Sequence, residues 1–180
     1  MTEEGDWGRL RTILEEAYAS LYRYARALSG DASEAEDLVQ EACKRALAAP
    51  NKPSPLTAGR TRAWLFRIVR NIWLNEIRRR SRRAESELPE EASLESAAPA
   101  PDALLARKLL QYEVRQAIDS LPESFREVLV LRELEDLSYD QIAEILDCPA
   151  GTVMSRLARA RSRLRLSLRR SLRASQGTSR

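Results

Sequence analysis

The side chains able to do chemistry in this sequence are arginines, carboxylates, amides and three tryptophans; histidine is absent, and two cysteines occur among 180 residues. Without imidazole there is no Ser-His or Cys-His nucleophile pair and no histidine zinc site, and two thiols cannot complete an all-cysteine one. The reading is therefore of a protein that is not an enzyme and uses no metal or cofactor. Its chemistry is recognition by charge, hydrogen bonding and stacking. The densest set of such groups is in LSYDQIAEILDCPAGTVMSRLARARSRLR, and every charged residue after Asp147 is an arginine. In helical phase Val153, Leu157, Ala160, Leu164 and Leu168 form an apolar stripe, so Ser155, Ala158, Arg159 and Ser162 centre the opposite face. Arg156 and Arg163 flank it on one side, Arg161 and Arg165 towards the other. Arginine donates two parallel hydrogen bonds to guanine, and serine is short enough to let a helix approach a groove. Ser155, Arg156 and Arg159 are thus candidate base contacts, with Thr152, Arg161 and Arg163 placed for phosphates. A solvated arginine-rich helix would have the charge without the cap, the turn and the reading face together.

A second set lies in TRAWLFRIVRNIWLNEIRRRSRR. Leu65, Ile68, Val69 and Ile72 take the inward phase, which leaves Trp64, Arg67, Asn71, Asn75 and Arg78 on one adjoining stripe. Ring, guanidinium and amide can stack on an exposed base, hydrogen-bond its edge and hold its backbone; alternatively, Trp64 and Trp73 complete a small core. Arg78, Arg79, Arg80, Arg82 and Arg83 are five positive charges within six residues, which repel one another unless a polyanion is near. A third set, DASEAEDLVQEACKRAL, turns Ala35, Leu38, Val39, Ala42 and Ala46 inward and Asp37, Gln40, Glu41 and Lys44 outward. DNA would repel this acidic and amide ridge. It is either a solvated helix face or a docking surface for a protein with basic residues.

These sets need helices to position them. Glycine and proline gather at Gly30, at 49–59, at 89–101, at Pro122 and at 149–151. Between these breaks the periodicity predicts helices over 7–29, 31–48, 61–82, 101–120, 122–135, 138–146 and 149–172, with no period-2 strand. Ser138 and Gln141 have capping-box spacing, and DCPAG is a compact break before a helix opened by Pro149. The fold class is all-α: two small helical domains, 1–81 and 101–172, joined by a flexible acidic linker, 82–100. The C-terminal domain contains the helix-turn-helix, followed by a disordered tail, 173–180. From Glu85 to Asp102 the only charged residues are acids, in a Ser-, Ala- and Pro-rich stretch too poor in large apolar groups to offset its ordering entropy. Ile118, Leu121, Phe125, Val128, Leu129 and Leu131 are expected to pack under the helix-turn-helix. No apolar run approaches the ~20 residues that cross a bilayer, and MTEEGDWGRL is acidic where a secretory signal would be basic. A cytoplasmic protein without membrane insertion is expected, with Cys43 and Cys148 unpaired.

Three blocks in order, LYRYARALSGDASEAEDLVQEACKRAL, RAWLFRIVRNIWLNEIRRR and LPESFREVLVLRELEDLSYDQIAEILDCPAGTVMSRLARARSRL, resemble those of the bacterial extracytoplasmic-function (ECF, group 4) sigma factors of the sigma-70 family. The resemblance implies that Asp37, Leu38, Gln40 and Glu41 grip the coiled coil of the largest RNA polymerase subunit. It implies that Asn71, Asn75, Arg78 and Arg79, with Trp64 and Arg67 on the same stripe, engage the minus-10 element. The loop from 50 to 60 stands where a flipped non-template base is captured, and the helix over 152–163 would read the minus-35 element. Many members carry Asp where this chain has Asn75, which bears on base preference. The partners implied are core RNA polymerase and promoter DNA, with an anti-sigma factor where one exists. A linker of about 20 residues reaches at most ~70 Å, roughly two turns of B-DNA, so one monomer could contact two separate elements. Two rivals remain. A sigma-like decoy that sequesters an anti-sigma protein would need no DNA faces, and a stand-alone helix-turn-helix regulator would leave EDLVQE and the N-terminal arginines unexplained.

Overall fold

The computed structural model describes residues 3–84 and 103–177, with side-chain surroundings over 7–82 and 111–170. The acidic stretch 85–100 and the last three residues, parts of the predicted linker and tail, lie outside the described residues. All regular structure among the described residues is helical: α1 (Glu3–Ser29), α2 (Ala32–Ala48), α3 (Ala58–Ala84), α4 (Ala103–Asp119), α5 (Glu123–Leu129), a π turn (Val130–Leu134), α6 (Tyr139–Leu146) and α7 (Ala150–Gly177). None of these helices is long and apolar enough to cross a membrane.

Local chemistry sets most of the breaks. Gly30 takes φ +74° between α1 and α2, a left-handed conformation that a side chain would strain. Asp31 then caps α2, its carboxylate accepting the Glu34 amide at 2.9 Å, and that bond holds the Asp31 carboxyl below its ordinary range. Ser138 caps α6 with both arms of the box: its hydroxyl accepts the Gln141 amide at 3.2 Å, and its own amide donates to Gln141 Oε1 at 2.9 Å. Asp147 closes α6 in the left-handed region, φ 50°, and α7 follows. α7 runs on to Gly177, into residues that the sequence reading gives to the tail. α3 starts at Ala58, so the end of the predicted 50–60 loop is helical.

One predicted helix changes character. The stretch 122–135 is α5 followed by the π turn, closed by the Glu135 amide donating to Val130 O at 3.2 Å. Val128, Leu129, Val130 and Leu131 are all buried. Four consecutive buried residues cannot share one face of a regular helix. They are covered from two sides, because α1 packs against α5 and the π turn while α7 and α6 close over them from the other direction. α3 likewise packs against α6. The two halves that the sequence separates thus meet along a common seam. Within the N-terminal half, Tyr24 and Phe66, both fully buried, meet edge to face at 5.4 Å between ring centres.

Candidate functional site

α2 presents the acidic ridge because its apolar residues hold the opposite side: Ala35, Leu38, Val39, Ala42 and Ala46 are buried. Asp37 and Gln40 are exposed, and Glu41 is half-buried and pairs with Arg45 at 2.8 Å. Leu38 differs from its three companions. It is only 6% exposed and lies at the floor of a notch between α2 and α3 whose walls include Asp37, Glu41, Ile72 and Trp73. Glu34 and Glu76 stand at the same notch and bind Arg80 at 2.9 and 3.0 Å. Hydrogen bonds from Arg79 and Arg80 hold the Glu76 carboxyl below its ordinary range.

α3 keeps its stripe. Arg67, Asn71, Asn75, Arg78 and Arg79 are exposed, three or four residues apart except for the adjacent last pair, and Trp64 is half-buried beside them. Trp73 belongs to the core instead, 7% exposed, with its indole N–H donating to Glu123 at 3.0 Å. The arginine block that follows carries part of its own counter-charge, since Glu76 pairs with both Arg79 and Arg80. Its self-repulsion is smaller than the run of arginines implies.

α6 and α7 form the helix-turn-helix around Ile142, Ile145, Leu146, Val153, Leu157 and Ala160, all buried. Ser155 and Arg159 are exposed, and Thr152 and Arg156 half-buried, on the outer face of α7. The Ser155 hydroxyl donates to Thr152 O at 3.0 Å. Arg161 and Arg163 already have partners: Arg161 Nε donates to Glu133 at 2.9 Å, and the Arg163 guanidinium lies 4.9 Å from the Phe125 ring centre. A basic face, a stripe of guanidinium, amide and aromatic groups and an anionic ridge therefore stand on three different helices.

Residues 13–83 match the Sigma-70 region 2 family and residues 111–164 the Sigma-70, region 4 family. The chain is 39% identical over 155 residues to the ECF RNA polymerase sigma factor EcfG of Rhodopseudomonas palustris, a match covering 86% of this chain and 82% of that one. The chain belongs to the ECF sigma factors of the sigma-70 family. This sigma factor is also 38% identical over 146 residues to ECF sigma factor SigE of Mycolicibacterium smegmatis, where the match spans 81% of this chain and 56% of that longer protein. Its fold is similar to that of the sigma factor RpoE of Bartonella quintana, solved in complex with the anti-sigma factor NepR, with a TM-score of 0.66, 29% identity and coverage of 89% and 94% of the two chains.

The sequence reading of the sigma factor missed the charged residues of the seam. Arg23, Arg62 and Arg70 meet Glu127 and Glu135 there. A signal was present, since Glu135 follows Leu131 by four residues and Arg62 and Arg70 flank Phe66 at the same spacing. Charges in the inward phase of an amphipathic helix need partners. Met154 was also passed over; it is 50% exposed beside Ser155.

Proposed function

We propose that this sigma factor docks on core RNA polymerase through Asp37, Gln40 and Glu41 around the Leu38 notch and carries two DNA-reading surfaces to the promoter. Trp64, Arg67, Asn71, Asn75, Arg78 and Arg79 engage the minus-10 element. Ser155, Arg156 and Arg159 read minus-35 base edges, with Thr152, Arg161 and Arg163 towards phosphates. The observation that carries this reading is the exposure of the α3 stripe and the α7 face on the helices matched to regions 2 and 4, with a ridge of opposite charge on α2.

Strand opening follows from stacking energetics. Extruding a base costs a few kcal/mol, and each base stacked on an aromatic group returns ~1–3 kcal/mol, so a small number of contacts at Trp64 and the amides decides whether a bubble persists. The chain itself makes and breaks no covalent bond, and it works in the bacterial cytoplasm, where the polymerase is. An anti-sigma partner belongs to the same proposal, supported by the Bartonella relative solved with NepR. A groove between α1, α4 and the π turn, lined by Tyr22, Ile118, Val130 and Leu134, is open to such a protein.

Run-off transcription with core polymerase and a promoter library tests the proposal. Specific start sites are expected; a polymerase left as unselective as before would overturn it. Reversing charge with Asp37→Lys and Glu41→Lys should weaken core binding while leaving duplex binding by the full chain intact, and unchanged core affinity would refute the docking assignment.

A further inference from the structure

α7 does not end where the family match does. Residues 111–164 match region 4, yet the helix runs on unbroken to Gly177 and keeps the same chemistry. It carries eight arginines and no acid along its 28 residues. Of these, Arg165, Arg169 and Arg170 lie beyond the match, are exposed, and take part in no ion pair among the described residues. By contrast, Arg161 is held by Glu133 and Arg163 lies over the Phe125 ring.

Two ordinary explanations of such charge fail here. The helix dipole favours cations only within the last turn, and Arg170 stands about two turns before Gly177. Pairing along the helix fails as well, because Arg161, Arg165 and Arg169 follow one another at four-residue spacing, where like charges oppose the helix. The inner side works against that repulsion, with Leu164, Ser167 and Leu168 half-buried and α4 packed along α7. The extension is thus braced from within and uncompensated without.

Helical phase gives its outer side a plan. At 3.6 residues per turn, Ser155, Ser162 and Leu166 run down the outer midline of α7, with Arg165 and Arg169 on one flank and Arg159, Arg163 and Arg170 on the other. Each four-residue step turns by about 40°, so Arg165 and then Arg169 stand nearer the midline than Arg161, which faces Glu133. A helix that lays this midline along the major groove, about 12 Å wide, presents its two flanks to the two phosphate walls. The serines let the helix come close, whereas Leu166, bulky and 52% exposed, ends the close approach. Past it, long guanidinium groups still reach phosphates, and those contacts carry no sequence information.

We propose that the arm of α7 beyond Leu164 is a second DNA site, in which Arg165, Arg169 and Arg170 bind phosphates of both strands beside the element that Ser155, Arg156 and Arg159 read. It lengthens the footprint and raises affinity for any duplex without changing which sequence is preferred. Continuity with the α7 face and opposite charge select duplex DNA as the occupant. The position beside a minus-35 element rests on the promoter reading above; the chemistry does not, since every duplex carries the same phosphates.

Fluorescence anisotropy of the full chain, titrated from about 50 to about 200 mM salt, tests the site on two labelled duplexes of equal length, one selected from a random pool by the full chain and the other its scrambled counterpart. Arg165→Gln, Arg169→Gln and Arg170→Gln in one chain keep a residue of similar helix propensity. They should flatten the slope of log affinity against log salt by about 2.7 on both duplexes, three contacts at about 0.9 each. The deficit at about 50 mM should shrink roughly 40-fold by about 200 mM, while preference for the selected duplex stays within about twofold. Arg165→Lys, Arg169→Lys and Arg170→Lys keep the charge and should keep the slope, with far-UV circular dichroism confirming helicity in both variants. Arg9→Gln with Arg115→Gln removes exposed charges from α1 and α4 and should leave the slope as it is. An unchanged slope in the glutamine variant, a loss confined to the selected duplex, or equal flattening per charge in the α1 and α4 control would overturn the site. Weaker core polymerase binding with an unchanged DNA slope would overturn it in favour of a protein partner. Flattening on both duplexes by a chain that prefers neither would sustain the site and defeat the minus-35 reading instead.

Discussion

On the minus-35 reading proposed above, Glu133 sets how much of the α7 charge reaches DNA. Arg161 projects from α7, yet its guanidinium is held by Glu133 of the π turn, both side chains being a little under half exposed. A surface pair of this kind is worth about 0–1 kcal/mol, so it lowers the availability of Arg161 for a phosphate by up to about fivefold. Glu133→Gln keeps the shape and removes the anion. One additional phosphate contact steepens the dependence of log affinity on log salt by about 0.9, so the variant's advantage at about 50 mM salt should shrink roughly 3.5-fold by about 200 mM. Fluorescence anisotropy of the full chain on a labelled minus-35 duplex, titrated across that range, measures both quantities. Arg161→Ala in the wild-type background should cost less than Arg159→Ala, because Arg159 is exposed and engaged in no ion pair among the described residues. A Glu133→Gln slope indistinguishable from wild type would refute the reasoning, as would a variant that binds more weakly.

Three further outcomes follow from burial, capping and titration. Leu157, 2% exposed between α6 and α7, should cost about 2–5 kcal/mol in urea unfolding when truncated to Ala, whereas Met154→Ala, three residues earlier and half exposed, should stay within about 0.5 kcal/mol; equal losses would contradict the packing described. Ser138→Ala removes the hydroxyl arm of the α6 cap and should lower stability by about 1 kcal/mol, with Ser138→Asp recovering most of it. Glu127 should show its raised carboxyl in the pH dependence: a raised folded value gives stability that is full below the unfolded value of about 4.3 and lost as pH rises through the folded one. The stability of wild type relative to Glu127→Gln should therefore decline from about pH 4 towards neutrality, and a difference that is flat or grows with pH would refute that assignment.

What the sequence made legible was local. The Ser138 and Gln141 spacing anticipates a cap found with both arms made, and the five inward residues of α2 are the five that are buried. The stripe from Arg67 to Arg78 emerges on one exposed side of α3 because helical phase alone places it there. The seam was hidden because its partners are distant in the chain. Arg23 and Glu135 are 112 positions apart, and Arg70 and Glu127 are 57, beyond the reach of any periodicity. Trp73 was readable as a stacking group or as core, and its burial, with Glu123 accepting from its indole N–H, decides for core. The π turn escaped for a related reason: VLVL in a run of helix formers reads as ordinary helix until both of its flanks are known to be covered.

Arg126 adds a different kind of joint. Its guanidinium donates to Ala27 O, in the last turn of α1, at 2.8 Å, to Asp119 O, which ends α4, at 2.9 Å, and to Leu121 O at 3.0 Å. Carbonyls at and just past helix ends lack intrahelical donors, so one planar fork serves three carbonyls on two separate stretches of backbone. Main-chain acceptors carry no net charge for dissolved ions to screen, and lysine, with its point-like ammonium, would not reproduce the span of the fork. The meeting of the two halves is thus stitched as well as magnetised.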